Sequence, residues 1–190
     1  MSKEVAPEIR DNYSYYNSLL KERKSIFQEV IEIYKVGNNS NFLESFKDVK
    51  HQTCNKDIHL IVTVRKQDHK YFQFKLRCQD LSRRPFFRYD SDGDTHRNYD
   101  DDIPFAEQQI TTPHFHYYNE KGINIAYKTE QLLNEQERKA LEDINLCIAH
   151  YCHEANIRLN EDDFPSISIE PGTLPFVIVE EDPNSNVNFI

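Results

Sequence analysis

Apolar residues near the start of the chain recur at three- and four-residue steps: Ile9, Tyr13, Tyr16, Leu20, then Phe27, Val30, Ile31 and Tyr34. That spacing predicts a helix within residues 1–37, stopped by Gly37 in VGNN. The polar stretch after it predicts at most a short helix around FLESFKDV. From residue 57 the period changes to two. Ile58, Leu60, Val62 and Val64 share one face of IHLIVTVRK. Phe72, Phe74, Leu76 and Cys78 share one face of KYFQFKLRC, with Tyr71, Gln73, Lys75 and Arg77 opposite. The short QDH between these runs reads as a hairpin turn. PFFRYD, PHFHYYN and INIAYKT continue the series, the last two joined at EKG, which makes about five strands.

Residues 91–111 are too polar and acidic for a strand core. A loop of that length inside a compact domain commonly carries function. Beyond the strands, Asn134 and Glu137 have the spacing of a capping box, followed by an apolar stripe of Leu141, Ile144, Ile148, Tyr151 and Ala155. These patterns predict one α+β domain over residues 1–160. Its antiparallel meander (57–128) is packed with an N-terminal helix (1–37) and a C-terminal helix (134–157). An acidic, proline-bearing tail occupies 161–190, with LPFVIVEE as a candidate edge strand.

Composition adjusts this picture in two places. Hydrophobic residues make up only 38% of the 190, and 12 Phe and 11 Tyr supply much of the buriable area. The net charge of −9 argues against non-specific nucleic-acid binding over the whole surface. The charge is uneven, however. Residues 56–90 hold nine Lys/Arg against four Asp, a balance of +5, which leaves −14 for the rest. Arg65, Lys75 and Arg77 beside Tyr71 are therefore candidates for holding a nucleic-acid backbone with a stacking ring. A solvated sheet face, or one covered by the acidic tail, accounts for the same pattern. The four cysteines (Cys54, Cys78, Cys147, Cys152) lack C-x-x-C spacing and read as reduced thiols. With no apolar signal core and no run of about 18 apolar residues, a soluble cytoplasmic protein with no membrane partner is expected.

The chemistry concentrates in residues 88–119, RYDSDGDTHRNYDDDIPFAEQQITTPHFHYYN. In a strand His114, His116 and Tyr118 share a face, the two imidazoles about 7 Å apart at their backbones. Arg88 and Asp90 share a face of the preceding strand and become antiparallel neighbours of the histidines if the loop returns the chain. His96, in that loop, can then close over them. Three readings fit. A divalent metal can be held by His96, His114 and His116. His114 and His116, with His96 as an exchange for either, can act as acid and base during metal-independent RNA cleavage while Arg88 holds the phosphate. Or the cluster is simply a polar sheet with satisfied histidines. His150, Cys152 and His153, in AHYCHE, form a lesser ligand candidate on one helix.

The order RYD, a histidine shortly after, then TPHFH resembles the TumE-like toxins of bacterial toxin–antitoxin pairs. It is also similar to an uncharacterised bacterial domain family with Asp-x-x-Gly-x-x-His-x-Asn followed by Pro-His-x-His-x-Tyr. Here these are Asp90, Gly93, His96 and Asn98, then Pro113, His114, His116 and Tyr118. The resemblance covers roughly residues 60–130 and implies a small RNA- or nucleotide-directed, endoribonuclease-like enzyme neutralised by an antitoxin or other protein partner. It implies site roles for Arg88, His96, His114 and His116. Asp90 would orient an imidazole and Tyr118 would donate a hydrogen bond. The thirteen-residue spacer YDDDIPFAEQQIT is longer than in the compact toxins, and Asp100 to Asp102 would repel a phosphate if they faced the site.

The expected function is therefore metal-independent histidine acid–base cleavage of RNA in a toxin–antitoxin or phage-defence setting, with no cofactor required. The alternative is a non-catalytic module that binds a nucleotide, a metal ion or a protein through the same cluster and self-associates through its helices.

Overall fold

The computed structural model describes residues 5–36, 39–99 and 104–169. Thirteen strands and five α-helices follow one another there. The short helices α1 (Pro7–Arg10) and α2 (Tyr13–Lys21) precede strands β1 (Lys24–Ser25), β2 (Val30–Ile33), β3 (Lys35–Val36) and β4 (Phe42–His51). Next come β5 (Ile58–Arg65), β6 (Asp68–Cys78), β7 (Phe87–Asp90) and β8 (His96–Arg97). A 3-10 turn (Phe105–Gln108) leads into β9 (Gln109–Ile110), β10 (His114–Tyr118) and β11 (Asn124–Tyr127). Helices α3 (Glu130–Leu133), α4 (Glu135–Ala140) and α5 (Ile144–Glu154), then β12 (Ile157–Arg158) and β13 (Ser166–Ile169), complete the described chain.

The fold is α+β. One sheet runs β11-β10-β7-β6-β5-β4-β1-β12, with β3 added beside β4. The half of the sheet that ends at β11 is the expected five-strand antiparallel meander, β5-β6-β7-β10-β11. Helix α5 lies on one face. Tyr151 stacks on Phe87 at 5.4 Å and packs against Phe74 at 5.3 Å, and Cys147, Ile148 and Cys152 are buried with it. Aromatic rings thus contribute large buried areas to this core beside its Ile, Leu and Val side chains.

Three expectations are corrected. The helix expected within 1–37 ends at Lys21. Beyond it, Val30, Ile31, Glu32 and Ile33 follow an exposed–buried–exposed–buried alternation, a strand period rather than a helical one. FLESFKDV is strand, not helix. Its inward positions include Ser45 and His51, whose polarity hides the alternation, and His51 is accommodated because its ring bonds the Ser18 carbonyl (3.1 Å) and the Cys54 amide (3.1 Å). The helix expected over 134–157 is broken into α4 and α5, each with its own cap. Asn134 Oδ1 accepts from the amides of Gln136 and Glu137, and Asp143 Oδ1 from those of Asn145 and Leu146.

The tail boundary at 160 also shifts. Ser166–Ile169 pair in parallel with β2, and the Ile167 amide donates to Asn145 Oδ1 at 2.6 Å. The candidate strand LPFVIVEE, the rest of the tail and Asp100 to Asp102 lie outside the described residues. Among the described residues no helix is long and apolar enough to cross a membrane.

Candidate functional site

Strand alternation determines where the site lies. Phe87, Tyr89 and Phe115 point toward α5, with Tyr89 and Phe115 rings 4.9 Å apart. Arg88, Asp90, His114 and His116 therefore project from the opposite face. The register completes the arrangement, because β7 and β10 pair with His114 across from Asp90 and His116 across from Arg88. The neighbourhood expected from sequence is present.

The loop after β7 adds the third imidazole. Ser91 ties its start to β6, donating to the Lys70 carbonyl (2.7 Å) and accepting from the Phe72 amide (2.8 Å). Gly93 follows at φ +135°, a conformation side-chain-bearing residues rarely adopt. The loop then closes on the edge strand β11. Asn98 donates to the Ala126 carbonyl and accepts from the Ala126 amide, both at 2.8 Å, like one rung of a ladder. His96 Nε2 donates to the Asn124 carbonyl at 3.3 Å. His96 and Asn98 are the His-x-Asn of the sequence motif, and their spacing matches alternate positions along β11.

The result is a compact polar cluster. Imidazole centroids lie 4.5 Å apart for His114 and His116, 4.8 Å for His96 and His116, and 6.4 Å for His96 and His114. Asp90 Oδ2 is 2.9 Å from Arg88 Nη2, 3.1 Å from His116 Nε2 and 3.7 Å from His114 Nε2. Arg88 Nη2 also donates to His116 Nε2 at 2.8 Å. His116 Nδ1 meets Asn124 Oδ1 at 2.7 Å. A guanidinium only donates and an ionised carboxylate only accepts, so Nε2 of His116, which meets both, takes either role according to the tautomer of the ring. Among the described residues, Asp90 Oδ1, His114 Nδ1 and Arg88 Nε are buried without a hydrogen-bond partner.

Electrostatics follow from this geometry. Burial opposes ionisation of Asp90, but hydrogen bonds from His114 and His116 and the charge of Arg88 outweigh it and hold the carboxyl far below its usual range. Burial lowers His96 to about 4, helped by the neighbouring His116. His116 is also lowered, again chiefly by burial, with Asp90 pulling the other way. At neutral pH the cluster thus presents one carboxylate, one guanidinium and at least two uncharged imidazoles.

A cavity of about 280 Å³ opens over the cluster, lined by His96, His114, His116, Arg88 and Asp90 and rimmed by Tyr71 and the Gly93 turn. His114 and His116 are only 1% and 2% exposed and form its floor, whereas His96 is half-buried at the side. Tyr118 is not brought to it. It is buried at the end of β10 with its ring edge-on to Tyr16, 6.1 Å away.

The four nucleic-acid candidates do share the sheet face of the cluster. Lys75 pairs directly across from Arg88 and is largely buried, which lowers its pKa. Arg65 stacks on Tyr71 at 3.8 Å, and Arg77 lies 6.0 Å over Phe46. The His150, Cys152 and His153 candidates are not brought together as ligands. Cys152 is in the core, His150 bonds Thr129 Oγ1 at 3.0 Å, and His153 faces Glu154.

Asn124 was not singled out by sequence. Its signal was faint, a lone amide opening the otherwise apolar INIAY, but it orients both His96 and His116. Comparison of the chain with protein-family models, with curated proteins and with solved structures gives no match.

Proposed function

We propose that the chain is an RNA- or nucleotide-directed enzyme that cleaves phosphodiesters by histidine acid–base chemistry. The observation that carries this reading is the meeting of three imidazoles, a guanidinium and an ionised carboxylate at one open cavity. The phosphate enters the cavity against Arg88, which stabilises the charge that develops on it. Drawing the guanidinium toward the phosphate releases His116 Nε2 from its present donor, and that nitrogen then accepts or returns a proton. His96, across the cavity, handles the other proton. One neutral imidazole takes the 2′-hydroxyl proton, and the other, in the protonated fraction that its lowered pKa leaves, delivers a proton to the departing 5′-oxygen, so the chain is cut without net proton uptake. His114 and Asp90, behind them, hold the array in position. The basic stripe of Arg65, Lys75 and Arg77 carries the flanking backbone, with Tyr71 and Phe46 as stacking surfaces.

The motif likeness to TumE-like toxins supports a setting in bacterial toxin–antitoxin or defence systems, with a protein partner that neutralises the activity. The four free cysteines support a reducing, cytoplasmic compartment.

The test is incubation of purified protein with bulk RNA, with and without chelator, beside His96→Ala and His116→Ala variants. Cleavage that survives chelator and disappears in both variants is the expected result. Cleavage abolished by chelator assigns the chemistry to a metal instead. Absence of cleavage under every condition leaves the cluster as a binding module.

A further inference from the structure

Two features of the cluster are poorly explained by proton transfer alone. The first is that Asp90 Oδ2 and His116 Nε2, both electron-pair donors, face each other at 3.1 Å. The Arg88 guanidinium nitrogen lies 2.9 and 2.8 Å from the two atoms, so a cation already sits at the point where both direct electron pairs. The second is that His114 Nε2 joins the same group at 3.7 Å from Asp90 Oδ2, and one donor atom each from Asp90, His114 and His116 lie within 4.8 Å of one another. A metal ion with ligand bonds of about 2.1 Å spaces its ligands roughly 3.0–3.5 Å apart, whether octahedral or tetrahedral. Of the two distances from Asp90 Oδ2, 3.1 Å falls within that range and 3.7 Å lies just above it.

We infer that Asp90, His114 and His116 form a binding site for a divalent transition-metal ion, overlapping the place beside Asp90 and His116 that Arg88 Nη2 now occupies. Two imidazoles and one carboxylate on one side of an ion leave its remaining positions open to the cavity. The orienting shell is partly in place, because His116 donates its other ring proton to Asn124 Oδ1 at 2.7 Å, the outer bond a metal-bound imidazole normally makes. The set differs from the one expected by sequence. His96 is replaced by Asp90, because the loop places His96 against the β11 backbone and 6.4 Å from His114. Arg88 and the ion compete for one slot. The side chain of Arg88 is 36% exposed, so it can swing into the cavity and vacate the position. Metal occupancy and the resting Arg88–His116 bond are therefore mutually exclusive.

The inference does not depend on RNA being the substrate, and its test does not use RNA. Chelator-stripped protein is titrated with Zn²⁺ by calorimetry, and with Co²⁺ while its visible absorption is followed. One equivalent should bind. Asp90→Ala or His116→Ala should weaken binding by about 100-fold, and Asn124→Ala by about tenfold. Arg88→Ala should bind about tenfold more tightly, because the competing cation is gone. That gain requires a folded protein and is not expected of ions held by exposed histidines such as His153. Absence of stoichiometric binding, or weaker binding in Arg88→Ala, overturns the inference. So does affinity unchanged in Asp90→Ala.

Discussion

A single buried lysine shows how far one residue can govern the local structure. Lys24 is fully buried, and its Nζ donates to the carbonyls of Leu19 (2.7 Å), Leu20 (3.1 Å) and Glu22 (2.7 Å). These carbonyls lie at the end of α2, where the helix supplies no amide partners. Burial takes the lysine pKa down to about 7, and three carbonyl acceptors at the negative end of a helix are what make so buried an amine tolerable. Lys24 thus closes α2 and begins β1 within four residues. Lys24→Met keeps the apolar stem but strands the carbonyls, each of which costs about 1–3 kcal/mol when left unpaired in the interior. The substitution should lower stability by roughly 3 kcal/mol in urea denaturation. A loss below about 1 kcal/mol would mean that water reaches the helix end in the variant.

At the scale of elements, α1 is held to the rest of the fold by a polar contact as well as by Ile9. Glu8 accepts from Ser82 Oγ at 2.8 Å. A backbone hydrogen bond comes first among the effects that lower its pKa below the ordinary 4.5, followed by the bond from Ser82, and Arg84 adds to them. A carboxyl lowered on folding stabilises the native state above its unfolded pKa. That contribution disappears as the pH falls from about 4.5 through the lower folded value. Glu8→Gln should therefore melt below wild type at pH 7, and the gap should close as the pH drops below 4.5. Thermal melts at pH 7, 5 and 3 read this directly, and a gap that persists at pH 3 would assign the effect to shape rather than charge.

The sequence revealed elements where periodicity and polarity agreed. β6 follows a clean two-residue alternation, and the core-facing Phe87, Tyr89 and Phe115 keep the same parity in β7 and β10, so the Arg88–Asp90 and His114–His116 faces could be placed against each other in advance. Where burial was secured by hydrogen bonds, the pattern misled. Lys24, Ser45 and His51 are buried polar residues in strands, which makes the first third of the chain look like an amphipathic helix and a polar linker. The role of Asn124 was obscure because it depends on two histidines, His96 and His116, that only the folded chain brings to it. Tyr118 has the right parity for the site, but the end of β10 carries it toward Tyr16 instead.

For the molecule as a whole, the uneven distribution of charge matters most. The strand region of balance +5 contributes Lys75, Arg77 and Arg88 to one sheet face, beside Arg65 stacked on Tyr71. The sequence left open whether the acidic tail covers that face. Its first part does something else, since Ser166–Ile169 are built into the fold beside β2. Deleting all of 161–190 would therefore remove a strand and confuse binding with stability. Residues 170–190 carry four carboxylates and no Lys or Arg, and deleting only these keeps β13. If they compete for the basic face, the shortened protein should bind a fluorescent single-stranded RNA several-fold more tightly at low salt. The advantage should shrink as salt rises, because a Debye length of about 10 Å at 0.1 M falls to about 3 Å at 1 M. Fluorescence polarisation across that range distinguishes the outcomes. A gain that fades with salt supports electrostatic competition, a salt-independent gain points to steric cover, and equal affinity throughout rules the competition out.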